Sequence, residues 1–152
     1  MVRRHPAALL GAGSLALGLV ACAGPVSITE PEVDPATRQL CERIVNELPR
    51  TVLNVPQRDT TGTISAAWGT PPITFKCGVP EPAAMATDTR CFDVNGVGWF
   101  AEEGEGGWLF TTIGREVRIE LGVPSKYAPE ADALVDVADA IKAHNIEHSP
   151  CL

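Results

Sequence analysis

The stretch Glu116-Val117-Arg118-Ile119-Glu120-Leu121-Gly122-Val123 alternates strictly: Val117, Ile119, Leu121 and Val123 fall on one side, and Arg118, Glu120 and Gly122 on the other. A strand with one apolar and one polar face belongs to a sheet that is packed on one side and solvated on the other. Immediately upstream, Gly114-Arg115 reads as a two-residue hairpin link with glycine first, as a type II′ turn requires. Working outward, Ile73-Thr74-Phe75-Lys76-Cys77 alternates in the same way. Strand candidates therefore lie near 72–78, 91–101, 107–113 and 116–123, with the acidic, glycine-rich 102–107 as a loose hairpin loop. Asp34-Pro35 is a helix start, an N-cap followed by proline at the first helical position, and the helix should run to about Leu48 before Pro49. A second helix buries Ala131, Leu134, Val135, Ala138 and Ile141, with Pro129 near its start. Residues 50–71 read as a long irregular loop with Thr60-Thr61-Gly62-Thr63 at its tip. Short links between strands imply antiparallel pairing. The expected architecture is an α+β two-layer sandwich: helix, four-stranded mainly antiparallel sheet, helix, stabilised by disulfides.

The N-terminus carries a different message. Arg3 and Arg4 precede an apolar run from Ala7 to Val20, 14 residues long, short for a spanning helix, which needs about 20, and interrupted by Gly11, Gly13 and Gly18. A basic start and a short apolar segment form the layout of an export signal. The Leu19-Val20-Ala21-Cys22 end resembles a bacterial lipobox, at which the signal is removed and the new N-terminal Cys22 is acylated. The paired arginines lack the rest of a twin-arginine motif, so the general secretory route is expected. Residues 1–21 are then a lipoprotein signal peptide. Residues 22–36, with three prolines and three acids, are an acylated N-terminus and flexible linker, and residues 37–152 a single domain.

Loss of Arg3 and Arg4 leaves ten of the 12 basic residues against all 19 acids, a net charge of −9. This is the wrong sign for a phosphate-binding surface, so no nucleic-acid partner is expected. Four cysteines remain beyond Cys22. An even number in an exported chain implies two disulfides. Cys41 sits at the edge of the apolar stripe Leu40, Ile44, Val45, Leu48, and Cys77 shares a strand face with Ile73 and Phe75, so both point inward. Cys91 is out of phase with Phe92 and Val94 and faces away from the core, where a returning tail can bring Cys151. The predicted pairs are Cys41–Cys77 and Cys91–Cys151, each closing a loop long enough to contribute about 4 kcal/mol in the chain-entropy treatment.

Catalytic and metal motifs are weak. His144-Asn145-Ile146-Glu147-His148 has the H-x-x-E-H spacing of inverted zinc metalloproteases, but it lies at a helix end with only four residues downstream, too few for the further acidic ligand. No two cysteines have C-x-x-C spacing, no G-x-S-x-G occurs, and Glu102, Glu103 and Glu105 lack the alternating oxygen ligands of a calcium loop. No catalytic residue, metal or cofactor is assigned. The candidate binding surface is Trp68 and Trp99, flanked by glycine and proline, with Asn95 and Arg115 as polar contacts.

The segments AAWGTPPITFKCGVP (66–80), DVNGVGWF (93–100) and TTIGREVRIELGVP (111–124), with LCERIVNELP (40–49) and LVDVADAI (134–141), resemble an uncharacterised family of small exported actinobacterial proteins, many of them lipoproteins, classed only as a domain of unknown function. The resemblance implies an envelope location, an α+β domain and a disulfide between the helix cysteine, Cys41, and the KCG cysteine, Cys77. It implies no activity. The expected function is a non-catalytic binding or interaction domain, anchored by lipid to the outer face of the plasma membrane, whose partner is an envelope protein or cell-wall ligand. The alternatives are a minor envelope-metabolism enzyme using carboxylates such as Asp93 or Glu120, and a structural accessory of a membrane complex with the Trp68 region as its contact.

Overall fold

A computed structural model of the chain describes residues 24–86 and 90–151. Helix α1 spans Pro35–Asn46. Eight strands follow: β1 (Thr51–Val52), β2 (Val55–Arg58), β3 (Ser65–Trp68), β4 (Ile73–Cys77), β5 (Phe92–Val94), β6 (Val97–Gly104), β7 (Gly107–Thr112) and β8 (Ile119–Pro124). Helix α2, Ala133–His144, closes the domain. The strands form one sheet in the order β1-β2-β3-β4-β8-β7-β6-β5, antiparallel at every pairing.

The four-stranded two-layer sandwich expected from sequence is thus overturned. Residues 50–71 are not a loop but hold β1, β2 and β3. Both faces of β3 are buried at all four positions, Ser65, Ala66, Ala67 and Trp68, so it lacks the alternation that marks a half-wet strand. The single strand expected over 91–101 is a hairpin, β5–β6, turning at Asn95 (φ 53°) and Gly96 (φ 80°). Asn-Gly is the pair a type I′ turn favours, because both central residues need positive φ.

The expected Gly114-Arg115 link is longer than two residues. Gly114 does adopt positive φ (69°), but β7 stops at Thr112 and β8 starts at Ile119. The Thr112 hydroxyl accepts from the Ile119 N–H at 2.9 Å, and the C-terminal tail fills the widened loop: the N–H groups of His148 and Ser149 donate to the Gly114 carbonyl at 2.7 and 3.1 Å.

Helix α1 starts as its sequence dictates. The Asp34 carboxylate accepts from the N–H of Ala36 and of Thr37 and from the Thr37 hydroxyl, and these bonds, led by the hydroxyl, hold its pKa below the ordinary 3.8. The two helices contact each other, and α2 also reaches β1 at one sheet edge and β5 and β6 at the other. The sheet therefore wraps a core of Leu40, Ile44, Trp68, Ile73, Phe75, Trp99, Ile119, Leu121, Leu134 and Ile141. On α2 the buried stripe runs through Val137, while Val135 is 49% exposed.

Both disulfides are present. Cys41–Cys77 joins α1 to β4 inside the core, with both residues fully buried, and Cys91–Cys151 joins the start of β5 to the tail. Gly98 makes room for the second: a Cβ there would stand 2.9 Å from that of Cys151. Residues 78–91 must cross from central β4 to edge β5. Glu81, in this crossing, pairs with Arg118 beside β8, which places it over the face opposite the helices. Phe100 and Thr111, paired across β6 and β7 on that face, are buried.

Candidate binding surface

The residues expected to form a binding surface separate into two structural groups. Trp68 and Trp99 are both fully buried. Trp68 shares the helix-facing side of β3 with Ala66, which pairs with core Phe75, and its indole N–H donates to the Pro49 carbonyl at 2.9 Å. That bond satisfies the polar handle of a buried tryptophan. These two residues are core. Asn95 and Arg115 are brought close together, in a structural joint: the Arg115 guanidinium donates to the Asn145 carbonyl at 2.7 Å and to the Gly96 carbonyl. It ties the β5–β6 turn to the end of α2. Cys22 lies outside the described residues.

The carboxylates considered for catalysis are engaged separately. Asp93 on β5 accepts from the Gly96 N–H at 2.9 Å, an Asx-type turn bond. Glu120 on β8 pairs with cross-strand Lys76 at 2.7 Å. His144 is the last residue of α2, and His148 lies beyond the helix, so the two do not share a helix face. Among the described residues no three His, Cys, Asp or Glu side chains group as metal ligands.

A largely polar cleft of about 510 Å³ runs between α1 and the β2–β3 loop. Several groups in its walls are already partnered: Glu42 accepts from Thr63, Thr60 donates to the Gly62 carbonyl, and Arg58 donates to three oxygens. These bonds fix the walls of the cleft and use three of the five Arg58 N–H donors.

The sheet itself offers an apolar alternative. Register places Phe110 beside Leu121 and Ala101, and Trp108 beside Val123 and Glu103, all on the helix-facing side. The helices do not cover this corner completely: Trp108 is 39% and Phe92 36% exposed. Trp108 stacks on Phe110 with ring centroids 6.4 Å apart and planes inclined by 21°, and Phe92 meets Phe110 edge-on at 6.3 Å. Beside them is an open hollow of about 270 Å³ lined by Ala101, Trp108, Phe110, Pro129, Glu130 and Ala131. A second hollow of about 330 Å³ lies along the opposite face, between Thr74, Leu109 and Gly122, and Trp108 borders both. Gly122 keeps that floor open, since a Cβ there would stand 2.7 Å from the Thr74 hydroxyl.

This aromatic corner was not singled out from the sequence. The available signal was Trp108 and Phe110 at period two in a strand entered from a Gly-rich turn, which places both rings on one face.

No curated protein and no solved structure matches the chain. Residues 7–151 match the family described as Protein of unknown function (DUF3515), and the chain belongs to that family.

Proposed function

We propose that the protein is a lipid-anchored envelope protein whose domain binds a partner through the Trp108 corner rather than performing catalysis. The observation that carries the binding reading is the pair of part-exposed aromatics, Trp108 and Phe92, braced by buried Phe110. A rigid apolar ridge beside a shallow hollow suits the flat or apolar face of a peptide or cell-wall component, because burying its surface costs little side-chain entropy. Export is supported by the two disulfides, which form and persist in oxidising compartments. They consume Cys41, Cys77, Cys91 and Cys151, which leaves Cys22 as the thiol available for acylation. Two acyl chains on a diacylglycerol suffice for stable anchoring.

Two experiments test the two halves. Metabolic labelling with palmitate should mark the wild-type chain and not Cys22→Ser; label on that variant refutes the anchor. A photo-reactive residue at position 108 should give a discrete adduct in intact envelopes that is missing with the same probe at exposed Val135. Equal adducts at both positions refute the corner as the binding surface. The accessory-subunit reading predicts the same adduct with a membrane-complex subunit as its partner, through Trp108 and not through buried Trp68.

A further inference from the structure

The proline-rich segment that composition reads as a flexible linker is docked along the domain from its first described residues. Beyond Gln57, whose N–H donates to the Arg50 carbonyl at 2.8 Å, the outer edge of β2 is no longer covered by the β1 segment, and the N-terminal segment takes that place. Val26 bridges Thr60 in parallel, its N–H donating to the Asp59 carbonyl at 2.8 Å and its carbonyl accepting from the Thr61 N–H at 3.2 Å. Ile28 is buried. The Glu30 carboxylate accepts from the Ile64 N–H at 2.7 Å and from the Ser65 hydroxyl at 2.8 Å. One step earlier the Gly24 carbonyl accepts from Arg58 at 3.2 Å. Cys22 precedes Gly24 by two residues, a reach of about 7 Å at full extension.

A lipid on Cys22 therefore cannot suspend this domain on a long leash. The surface that must lie against the headgroups is the one around Gly24, and its chemistry is distinctive. Arg58 also donates to the Gly69 carbonyl and the Thr70 hydroxyl, and the Lys126 ammonium donates to the Thr70 carbonyl at 2.5 Å. Arg58 and Lys126 are thus joined through one turn, and exposed Arg50 lines the same cleft as Arg58. All three hydrogen-bond to neutral oxygens or point to solvent, and none is in an ion pair among the described residues. The nearest acid in sequence is Asp59. Glu42 and Asp59 line the cleft with Arg50 and Arg58, yet no ion pair within 4.0 Å joins them among the described residues, and the three cations stand on the flank where the chain leaves for the membrane.

We infer that this flank — Arg58, Lys126 and Arg50 around the Gly24 exit — is a membrane-contact surface for anionic phospholipid headgroups, fixing one orientation of the domain on the bilayer. The inference rests on the acylation of Cys22. Cationic side chains near an anionic leaflet each add to attachment, within about a Debye length of the surface.

The test is lysine footprinting of the mature, acylated protein, reconstituted into phosphatidylglycerol vesicles and compared with the same protein in neutral detergent micelles. Lys126 should lose amine reactivity about tenfold in the vesicles, while Lys142, on α2 near the β5–β6 turn at the opposite sheet edge, keeps its reactivity. Arg58→Gln should restore at least half of the Lys126 reactivity without releasing the protein from the vesicles. Equal reactivity of Lys126 in the two settings, with the protein still co-floating with lipid, overturns the orientation alone. Failure of the wild-type protein to co-float overturns the anchor, and the orientation with it.

Discussion

Asn145 offers the sharpest test of how the tail and sheet are joined. It ends α2 and is fully buried. Its side-chain amide behaves as an extra strand residue: Oδ1 accepts from the Val117 N–H at 3.1 Å, and Nδ2 donates to the Val117 carbonyl at 2.9 Å. Val117 itself is only 7% exposed, so Asn145→Ala leaves one donor and one acceptor without partners in a dry place. Each such group costs about 1–3 kcal/mol. With some relaxation toward water, a loss of about 3 kcal/mol is expected. An unfolding entropy of about 2.1 cal/mol/K per residue, taken over the 128-residue span 24–151, turns that into a Tm drop of about 11 °C. Calorimetry with both disulfides oxidised measures it.

Asn145→Asp separates hydrogen bonding from packing. The carboxylate keeps the acceptor but cannot donate to the Val117 carbonyl, and burial raises its pKa in the folded state. The sign follows: its stability is fully present below the unfolded-state pKa, where the protonated acid can donate, and is lost as pH rises through the raised folded pKa. The variant should be closest to wild type in acid and furthest from it at neutral pH. A drop below about 3 °C for Asn145→Ala, or a neutral-pH Asp variant as stable as wild type, would refute the reasoning.

The other predictions concern accessibility and fit. Mild reduction of the native protein followed by alkylation should label half-buried Cys91 and Cys151 well before fully buried Cys41 and Cys77; peptide mapping showing simultaneous labelling contradicts the core position of the first bridge. Of the three tryptophans only Trp108 reaches solvent, so iodide should quench one component of the native fluorescence, and Trp108→Phe should abolish that component with little change in melting temperature. Gly114→Ala should loosen the tail, because the added Cβ would fall 1.8 Å from the Ser149 carbonyl oxygen at a positive φ. Faster limited proteolysis near residues 146–151 reads this out. The Asp34 cap should titrate below 3.8 by NMR; since its folded pKa is lowered, its contribution to α1 is present above the unfolded value and fades as pH falls through the lowered one.

What could be read from the sequence followed from how many faces each element buries. Helix α1 and strands β4, β7 and β8 each carry a local signal: a cap-plus-proline start, or apolar residues at period two. The phase of Cys77 and Cys91 against their strand neighbours gave the two bridges found. Strand β3 buries small residues on both sides, so its face pattern disappears, and β1–β2 turns through Leu53 (φ 48°) and Asn54 (φ 61°) with no glycine to announce it. What holds that turn is distant in sequence: the Leu53 N–H donates to the Asp136 carboxylate of α2 at 2.8 Å. The Asn95-Gly96 pair, by contrast, carries a turn signal that the expectation of a single strand over 91–101 passed over. The tryptophans misled for a related reason. Gly69 leads Trp68 into a turn at positive φ and Gly98 beside Trp99 makes room for Cys151, whereas Trp108 is exposed at the corner that the helices leave open.

Docking of the N-terminal segment also changes what a lipid anchor can accomplish. A tether of fifteen free residues would let the domain sample every orientation and present any face. With the chain pinned from Gly24 through Glu30, acylation of Cys22 as proposed would instead hold the Gly24 edge toward the bilayer. The Trp108 corner sits on β7, four strand positions from β2 through β3, β4 and β8. At about 4.8 Å per strand this is about 19 Å from Arg58 along the sheet, whereas Lys126 lies nearer, since the Ser125 N–H donates to the Gly106 carbonyl at 2.9 Å beside the start of β7. Arg58 and Trp108 lie four strands apart, so on the proposed reading Arg58→Gln should alter orientation on the bilayer while leaving the affinity of the Trp108 corner, measured in detergent, unchanged. A joint loss of both would mean that the two flanks are one surface.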